Sequence, residues 1–353
     1  MSAENQHTGK NQGLSKEHQM NKEQEVKKNL EKQHYGFVGK HSSCKICTYT
    51  KKSIKDEDVC YKEQFYGIRC HLCCQMTPIM ICNNRCVFCW RDTSAHNSIK
   101  VRHELDEPKD IIHGCFKMQK KLLSGLGGYD KTNMKKLKQA ALPKHFAISL
   151  TGEPTLYLKL GQLIKEIHSL GFTSFLVTNG LQPDVLLKLE KENALPTQLY
   201  VSVDAPNEEL FNKIDNPLLK DGWKRLMKTL KLLPNLKIKE NYKTTYNKTR
   251  TTLRFTIIKG MNDCLPEQWA EIIKISEPLF IEVKAYMAVG YSRKRLGLKY
   301  MPLHDEIVEF SKNICKYTGD SEKIRYKIID EKKESRVVLL MKEDFESRIM
   351  KFD

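Results

Sequence analysis

The sequence contains no uninterrupted apolar run of about 18 residues, the length that a membrane-spanning helix needs. Residues 1–33 are polar and lack the apolar centre of a signal peptide. Acidic residues are comparatively few: 43 Asp and Glu stand against 60 Lys and Arg, a net charge of +17 with histidine neutral. We therefore expect a protein that is neither exported nor held in a membrane, with a surface that favours a polyanionic partner.

Extensive disorder is not expected, because 40% of the 353 residues are hydrophobic. Residues 1–32 are the exception, since they are so poor in apolar side chains that they predict a disordered tail. A cysteine-rich segment follows over residues 33–75, and an α/β region that ends in a pair of strands follows over residues 76–353. This length suits one or two domains with a substantial core.

Nine of the twelve cysteines lie between residues 44 and 89. A disulfide scaffold is not expected without an export signal, because disulfides persist in oxidising compartments. Clustered cysteines in a reducing cytoplasm are more often metal ligands or catalytic groups. We therefore expect a cytoplasmic metalloprotein, whose cysteine-rich segment is organised by bound ligands more than by a large core.

Short apolar strands alternate with amphipathic helices in the second half of the chain. The predicted strands span residues 145–150, 174–178, 199–206, 252–260 and 280–287, and a closing pair spans 326–330 and 336–342. This alternation predicts an α/β fold with a parallel sheet and right-handed crossovers. Polar residues gather where these strands end, which is where barrels and open α/β sheets place their sites. The candidates are Thr151, Gly152, Glu153, Asn179, Ser202 and Asp204. Ordinary turn chemistry is the alternative explanation for them.

The stretch ICNNRCVFCWRD places Cys82, Cys86 and Cys89 in a C-x3-C-x2-C pattern. Three thiolates at this spacing suit one [4Fe–4S] cluster and leave one iron without a protein ligand. An open coordination position is typical of a catalytic metal centre, whereas structural sites are closed. A zinc knuckle is the alternative.

With Phe88 immediately before Cys89, this loop resembles that of the radical S-adenosylmethionine (SAM) superfamily. The resemblance implies that SAM binds the open iron and is cleaved to a 5′-deoxyadenosyl radical, with electrons from an external donor. The stretch TGEPT (151–155) resembles the motif that takes the ammonium group of SAM, although Thr151 replaces the first of its two glycines. Asn179, Ser202 and Asp204 stand where the superfamily supplies ribose and carboxylate contacts.

Cys47, Cys60 and Cys73 form a second set, spaced by thirteen residues and then thirteen. That spacing alone is weak evidence for a site. A rival set, Cys44-x2-Cys47 with Cys70-x2-Cys73, is typical of a structural zinc ribbon. The spacing leaves both possibilities open.

Four stretches together resemble one family, the tRNA 4-demethylwyosine synthases. They are HYGFVGKHSSCKICTYTKKS, DVCYKEQFYGIRCHLCCQMTP, CNNRCVFCWRD and VKAYMAVGYSRKRLG. Eukaryotic members carry an additional flavodoxin-like domain, and this chain resembles the shorter archaeal form. The resemblance implies a partial (open) β/α barrel of the radical SAM type with an N-terminal cysteine-rich, cluster-binding extension.

The same resemblance implies a second [4Fe–4S] cluster on Cys47, Cys60 and Cys73, with pyruvate on its open iron. Cys44, Cys70 and Cys74 are possible competitors for that iron. Lys62, two residues after Cys60, matches a lysine of the family that forms a Schiff base with pyruvate. Charge pairing with the pyruvate carboxylate is the alternative role for this lysine.

The implied reaction joins pyruvate to 1-methylguanosine 37 in the anticodon region of tRNA(Phe). The radical removes hydrogen from the N-methyl group, and the resulting methylene radical attacks the pyruvate carbonyl carbon. The carboxyl carbon is lost, and two carbons close the third ring of 4-demethylwyosine, which makes the enzyme a carbon–carbon lyase. A monomer suffices for this chemistry.

Basic residues concentrate in three stretches, where they predict an RNA-binding surface. Residues 224–259 hold eleven Lys and Arg against one acid, and residues 117–144 and 284–299 are similarly basic. The segment YSRKRLG (291–297) is the best local candidate for tRNA contact, with a rigid loop that closes over the cofactor as its alternative role. A solvated lysine-rich surface is the simpler explanation for all three stretches.

Two other functions also fit parts of the sequence. A radical RNA methyltransferase needs a nucleophilic cysteine near the end of the barrel, where Cys315 is the one late candidate. A non-catalytic zinc-ribbon protein that binds RNA needs zinc on the upstream cysteines and no iron.

Overall fold

The structure is a computed structural model that describes residues 27–93, 97–99, 101, 104–237, 248–319 and 325–352. Most of the expected disordered tail, residues 1–26, lies outside the described residues, while residues 27–32 are helical.

Ten strands form one mixed sheet in the described part of the chain. They are β1 (Gly36–Val38), β2 (Ser42–Lys45), β3 (Cys73–Thr77), β4 (His145–Ile148), β5 (Thr173–Thr178), β6 (Gln198–Ser202), β7 (Arg250–Ile257), β8 (Phe280–Ala285), β9 (Lys327–Lys332) and β10 (Val337–Met341). The order is β1-β2-β3-β4-β5-β6-β7-β8-β10-β9. Neighbours from β3 to β8 are parallel, and antiparallel pairs extend both edges. The linear order confirms the predicted open β/α barrel and its closing strand pair.

Helices connect these strands and cover the sheet. They are α1 (Thr48–Ile54), α2 (Tyr61–Tyr66), α3 (Pro108–Leu123), α4 (Met134–Ala140), α5 (Leu160–Ser169), α6 (Pro183–Lys191), α7 (Glu208–Ile214), α8 (Gly222–Leu236), α9 (Pro266–Ser276), α10 (Ser292–Arg295) and α11 (His304–Lys316). Pro108, Pro183 and Pro266 occupy first turns, where proline costs no hydrogen bond. None of the helices in the described residues has the length and apolar character needed to cross a membrane.

The sheet buries apolar side chains on both faces, which explains the nearly continuous apolar runs of its central strands. The outer face packs against the crossover helices, with Leu163 and Ile164 of α5 fully buried. The inner face forms the lumen of the barrel, where Tyr200 of β6 and Phe280 of β8 lie in a separate apolar cluster. The strands thus separate a helical outer layer from an interior that leads to the site.

The cysteine-rich segment closes one end of this lumen, because Tyr61, Phe65 and Tyr66 of α2 join the inner cluster. Phe65 and Tyr66 are fully buried, and burial of each such side chain contributes about 1.5–3 kcal/mol. The segment therefore has apolar side chains that join the core of the barrel, a contribution that the sequence did not predict. A six-residue helix is too short to show a clear period in the sequence. The expected boundary at residue 75 lies inside β3, so the segment and the barrel share one sheet.

Candidate active site

A cavity of about 320 Å³ opens at the carboxyl ends of the parallel strands. The loop after β3 carries Cys82, Cys86 and Cys89 to its wall. Backbone hydrogen bonds tie this loop to the end of α7: the Val87 N–H donates to the Ile214 carbonyl at 2.9 Å, and the Arg85 N–H donates to the Asp215 carbonyl at 3.1 Å. The three thiols thus face one space from a single anchored loop.

The polar residues at the strand ends, selected from the sequence alone, line this same cavity. They are Thr151, Gly152, Glu153, Asn179, Ser202 and Asp204. The parallel register of β4, β5 and β6 carries these strand ends to the same edge of the sheet. Sequence positions spread over more than fifty residues therefore converge beside the Cys82 loop.

Gly152 allows the chain to pass very close to the Cys82 loop. Its φ is +71°, and a Cβ atom there would lie 2.2 Å from the carbonyl oxygen of Ile79. The neighbouring Glu153 N–H donates to the Ile81 carbonyl at 2.7 Å. The turn and the loop are consequently packed backbone to backbone, which leaves no room for a side chain at residue 152.

The Glu153 carboxylate is buried but well supplied with donors. Its Oε1 accepts hydrogen bonds from the Thr155 N–H, the Thr155 hydroxyl and the Thr178 hydroxyl, and its Oε2 accepts one from the Asn179 N–H at 2.8 Å. Burial raises the pKa of Glu153, and these hydrogen bonds oppose that rise. With a single donor on Oε2, the carboxylate retains acceptor capacity for a cationic ligand group.

Asp204 and Asn179 are also held in place by neighbours. Asp204 Oδ1 accepts from the Thr256 N–H at 3.0 Å, and burial raises the pKa of Asp204 to about 6. The Asn179 amide donates to Asn83 Oδ1 at 2.7 Å, which links it to the cysteine loop. Such restrained polar groups suit the hydroxyl and amine groups of a nucleoside ligand.

Two arginines hold the cysteine loop. Arg91 is buried, and its charge lowers the pKa of Cys82, although burial is the larger effect and raises that pKa to about 11. The Arg295 guanidinium donates to the carbonyls of Val87, Cys89 and Arg91, at 3.0 Å for Val87 and 3.3 Å for Arg91. A thiol must lose its proton to bind iron, and nearby cations favour that loss.

Arg295 belongs to the segment 291–297, for which two roles were open. The structure shows this arginine bonded to the cysteine loop, while the side chains of Arg293 and Lys294 are exposed. Gly290, with φ +57°, packs against the Trp90 carbonyl and allows this close approach. The segment therefore divides into one residue that supports the loop and two that remain free for a partner.

The second triad comes from three separate elements. Cys47 precedes α1, Cys60 precedes α2, and Cys73 begins β3. Burial raises the pKa of Cys73 to about 12, with smaller upward contributions from Cys47 and Cys60 and an opposing one from Lys62. The three thiols and Lys62 are thus within electrostatic range of one another, and the Lys62 ammonium lies 4.5 Å from the centre of the Tyr200 ring.

The other upstream cysteines lie elsewhere or beside this triad. Cys44 and Cys74 lie with Cys115 in a separate buried cluster. The Cys70 sulfur accepts a hydrogen bond from the Cys60 backbone N–H at 3.0 Å, and a separate side-chain interaction between the two thiols lowers the pKa of Cys60 to about 7. Of these three other upstream cysteines, all in the described residues, only Cys70 has its side chain beside a member of the triad, Cys60.

The zinc-ribbon set is not assembled. Among the described residues, no group of three or more His, Cys, Asp and Glu side chains forms a site for a single metal ion. Cys44 lies with Cys74 and Cys115 instead of joining Cys47.

Two cations in the cavity were missed as site residues. Arg254 of β7 and Lys284 of β8 line its inner end, although the sequence placed them within basic stretches assigned to the surface. Their position on buried strands that alternate apolar and charged residues was the available signal, since alternate side chains of a strand face the lumen. Local charge counts do not distinguish the two faces.

Two family sequence patterns match the chain. One described as Radical SAM superfamily matches residues 76–273, and one described as Wyosine base formation matches residues 275–342. The SAM-dependent tRNA 4-demethylwyosine synthase of Pyrococcus abyssi is 44% identical over 320 residues, which cover 90% of this chain and 89% of the relative. This chain belongs to the tRNA 4-demethylwyosine synthase family.

Other family members agree with that assignment. The synthase of Methanocaldococcus jannaschii is 39% identical and covers 90% of this chain and 96% of its own length. A solved structure of TYW1 with a lysine–pyruvate adduct bound is 37% identical, has a TM-score of 0.76, and covers 90% of this chain and 95% of that chain. The chain is thus a radical SAM enzyme of wyosine biosynthesis that acts on tRNA, and the family implies SAM and a [4Fe–4S] cluster as cofactors.

Family membership also decides between the alternative functions. The non-catalytic zinc-ribbon alternative is wrong, because the family is enzymatic. The methyltransferase alternative required Cys315 near the reacting groups, whereas Cys315 on α11 is buried in the outer apolar cluster.

Proposed function

We propose that this enzyme condenses 1-methylguanosine 37 of tRNA(Phe) with pyruvate to form 4-demethylwyosine, in the cytoplasm and with electrons from an external donor. The pyruvate contributes two carbons and loses its carboxyl carbon. The observation that carries the proposal is the position of the Lys62 ammonium, 4.5 Å from the centre of the Tyr200 ring of the inner cluster and within electrostatic range of Cys47, Cys60 and Cys73. It supplies an amine that can condense with the carbonyl of a 2-oxo acid, next to three thiols that could bind iron.

In this proposal Cys82, Cys86 and Cys89 would hold the [4Fe–4S] cluster, and SAM would occupy the adjoining cavity. Glu153 would accept the ammonium group of SAM, with Gly152 permitting the close approach and Thr151 lining the same wall. Asn179, Ser202 and Asp204 would bind its ribose and carboxylate groups. When bound, these cofactors supply the 5′-deoxyadenosyl radical, and the protein contributes placement and exclusion of water.

Cys47, Cys60 and Cys73 would hold a second [4Fe–4S] cluster. The Lys62 amine would condense with the carbonyl of pyruvate, releasing one water molecule and forming a Schiff base. The Tyr200 ring restrains the Lys62 ammonium at 4.5 Å, which fixes the amine relative to the lumen. The aromatic side chains of α2 close the far end of this space and keep bulk water out.

The tRNA would approach the open end of the cavity, where Arg293 and Lys294 are exposed. The exposed lysines of α3, among them Lys117, Lys120 and Lys121, would extend the basic surface. A base that reacts inside the barrel has to leave its stack in the anticodon loop. Three cations of the basic stretches face the lumen and so do not contribute to this surface: Arg250, Arg254 and Lys284. Residues 238–247 of the basic stretch 224–259 lie outside the described residues.

The test combines the reconstituted full chain, SAM, pyruvate and tRNA that carries 1-methylguanosine 37, under anaerobic conditions. Formation of the tricyclic base is measured by mass spectrometry of the digested tRNA. We expect Lys62→Arg to abolish the product while 5′-deoxyadenosine still forms, because SAM cleavage takes place at the other triad. Lys52→Arg, on the exposed side of α1, is the matched control and retains the product. Unchanged product with Lys62→Arg would remove the covalent role of this lysine.

A further inference from the structure

Lys284 connects the two halves of the interior. It lies on β8 and lines the cavity beside the first triad. It also interacts electrostatically with Cys60 and Lys62 of the second site. Its ammonium donates to the Ser335 carbonyl at 2.6 Å and lies 5.3 Å from the centre of the Tyr61 ring. These contacts hold the charge at the boundary between the two sites.

The neighbouring carboxylates are already engaged. Both oxygens of Glu282 accept hydrogen bonds from phenols, at 3.0 Å from Tyr61 and 2.9 Å from Tyr66. Asp204 is engaged with the Thr256 N–H. Within the described residues, the side-chain hydrogen bond of Lys284 goes to a neutral carbonyl, so no carboxylate is bonded to this ammonium.

Nearby cations add to the positive charge at this point. Arg254 lies on the adjacent strand, and its buried Nε–H has no hydrogen-bond partner among the described residues. Burial is the largest cause of a pKa of about 8 for Lys284; the charges of Arg254 and Lys62 contribute in the same direction, and those of Cys60 and Glu282 oppose it. A desolvated ammonium beside other cations is costly unless an anion joins it. The arrangement therefore suits an anionic ligand between the two triads.

We propose that Lys284, supported by Arg254, binds the carboxylate of pyruvate while Lys62 engages its carbonyl carbon. This inference rests on the proposed function and assigns the substrate a second point of attachment. A 2-oxo acid held at both ends presents one face of its carbonyl carbon toward the first triad, where the radical is formed. Lys284 is thereby the residue that selects a free carboxylate over an ester or amide.

The experiment traps the adduct without requiring turnover. Reconstituted full chain is incubated with cyanoborohydride and either pyruvate or methyl pyruvate, in the absence and presence of SAM, and the reduced adduct on Lys62 is measured by peptide mass spectrometry. Methyl pyruvate retains the ketone but lacks the charge. The variants are Lys284→Met, Lys284→Arg and the exposed control Lys274→Met on α9.

The expected result is a preference of wild type for pyruvate over methyl pyruvate on the order of 10- to 100-fold, the size of a charge-assisted hydrogen bond. Lys284→Met should lose this preference, Lys284→Arg should retain most of it, and Lys274→Met should match wild type. If the wild-type enzyme loses its preference for pyruvate only when SAM is present, Lys284 binds the carboxylate of SAM. That result would overturn the assignment to pyruvate.

Two further outcomes separate this inference from the function on which it rests. If Lys284→Met retains the wild-type preference for pyruvate, the carboxylate role is wrong. If that variant also loses iron from the second site, Lys284 instead balances charge around that site. If wild type forms no adduct on Lys62 with either ketone, the proposed function itself fails. Iron content and folding of each variant are measured alongside.

Discussion

The first cysteine triad lies within one loop, whereas the second draws its thiols from three elements. Cys82, Cys86 and Cys89 are separated by a few residues and are anchored together against α7. Cys47 and Cys60 lie immediately before α1 and α2, and Cys73 begins β3, so their proximity depends on how these separate elements pack. A site of the first kind depends mainly on local chain geometry, and a site of the second kind depends on the packing of the whole N-terminal segment.

The two sites also differ in the charges around them. The first is surrounded by Arg91 and Arg295, which bond to the backbone of the loop and support its shape. The second is accompanied by Lys62 and Lys284, whose ammonium groups face the interior. Arginine suits a supporting role through several fixed donors, and lysine suits a reactive or substrate-binding role through a single mobile amine. This difference fits the proposed division into a radical-forming site and a substrate site.

The largest expected effect separates the two triads directly. Replacing Cys82, Cys86 and Cys89 by Ala should abolish both 5′-deoxyadenosine formation and the tRNA product. Replacing Cys47, Cys60 and Cys73 should abolish the tRNA product alone. Each triple variant should fall from about eight to about four irons per chain after anaerobic reconstitution. About four irons plus zinc in the wild type would contradict the second cluster and with it this comparison.

The second prediction concerns the backbone contact that supports the first site. Gly152→Ala should reduce SAM affinity by about 100-fold and stability by about 2–3 kcal/mol, because the added Cβ would lie 2.2 Å from the Ile79 carbonyl in a left-handed conformation. Gly125→Ala is the matched control, since nothing lies within 4 Å of the Cβ it adds. SAM titration and thermal unfolding measure both effects. If Gly152→Ala and Gly125→Ala had the same SAM affinity and thermal stability, the close approach of residue 152 to the Ile79 carbonyl would not be needed.

A smaller effect is expected within the segment 291–297. Arg295→Ala should slow SAM cleavage by about 10-fold, because the loop loses charge-assisted hydrogen bonds. Lys294→Ala should leave SAM cleavage unchanged and reduce the slope of log tRNA affinity against log salt by about one, as expected for one lost phosphate contact. If Lys294→Ala slowed SAM cleavage and Arg295→Ala changed only the salt dependence of tRNA affinity, the roles of the two residues would be the reverse of those proposed.

The smallest effect is expected at Cys70. Cys70→Ala removes a hydrogen-bond partner of Cys60 but no proposed iron ligand, so iron content should stay at about eight and activity within about threefold of wild type. Cys60→Ala, by contrast, should lose the second cluster. A fall to about four irons in Cys70→Ala would identify Cys70 as a ligand and correct the register of the second triad.

Much of the barrel was predictable from the sequence. The parallel strands from β4 to β8 lie within a few residues of their predicted bounds, and helices alternate with them as predicted, because apolar runs and helical periodicity are local signals. The antiparallel strands β1 and β2 and the short helices α1 and α2 were not predicted. Elements of three to seven residues carry too little periodicity, and their stability comes from packing.

By itself, the sequence determined the alternating α/β fold and the Cys82–Cys89 loop, since strand periodicity and a short ligand spacing are properties of neighbouring residues. Only the tertiary structure decided which of the upstream cysteines meet, separating Cys44 and Cys74 from Cys47, Cys60 and Cys73. It also decided that Arg254 and Lys284 face the lumen instead of the surface. Those outcomes depend on which side of a strand faces the barrel and on how α2 packs against it, and neither is encoded in local spacing.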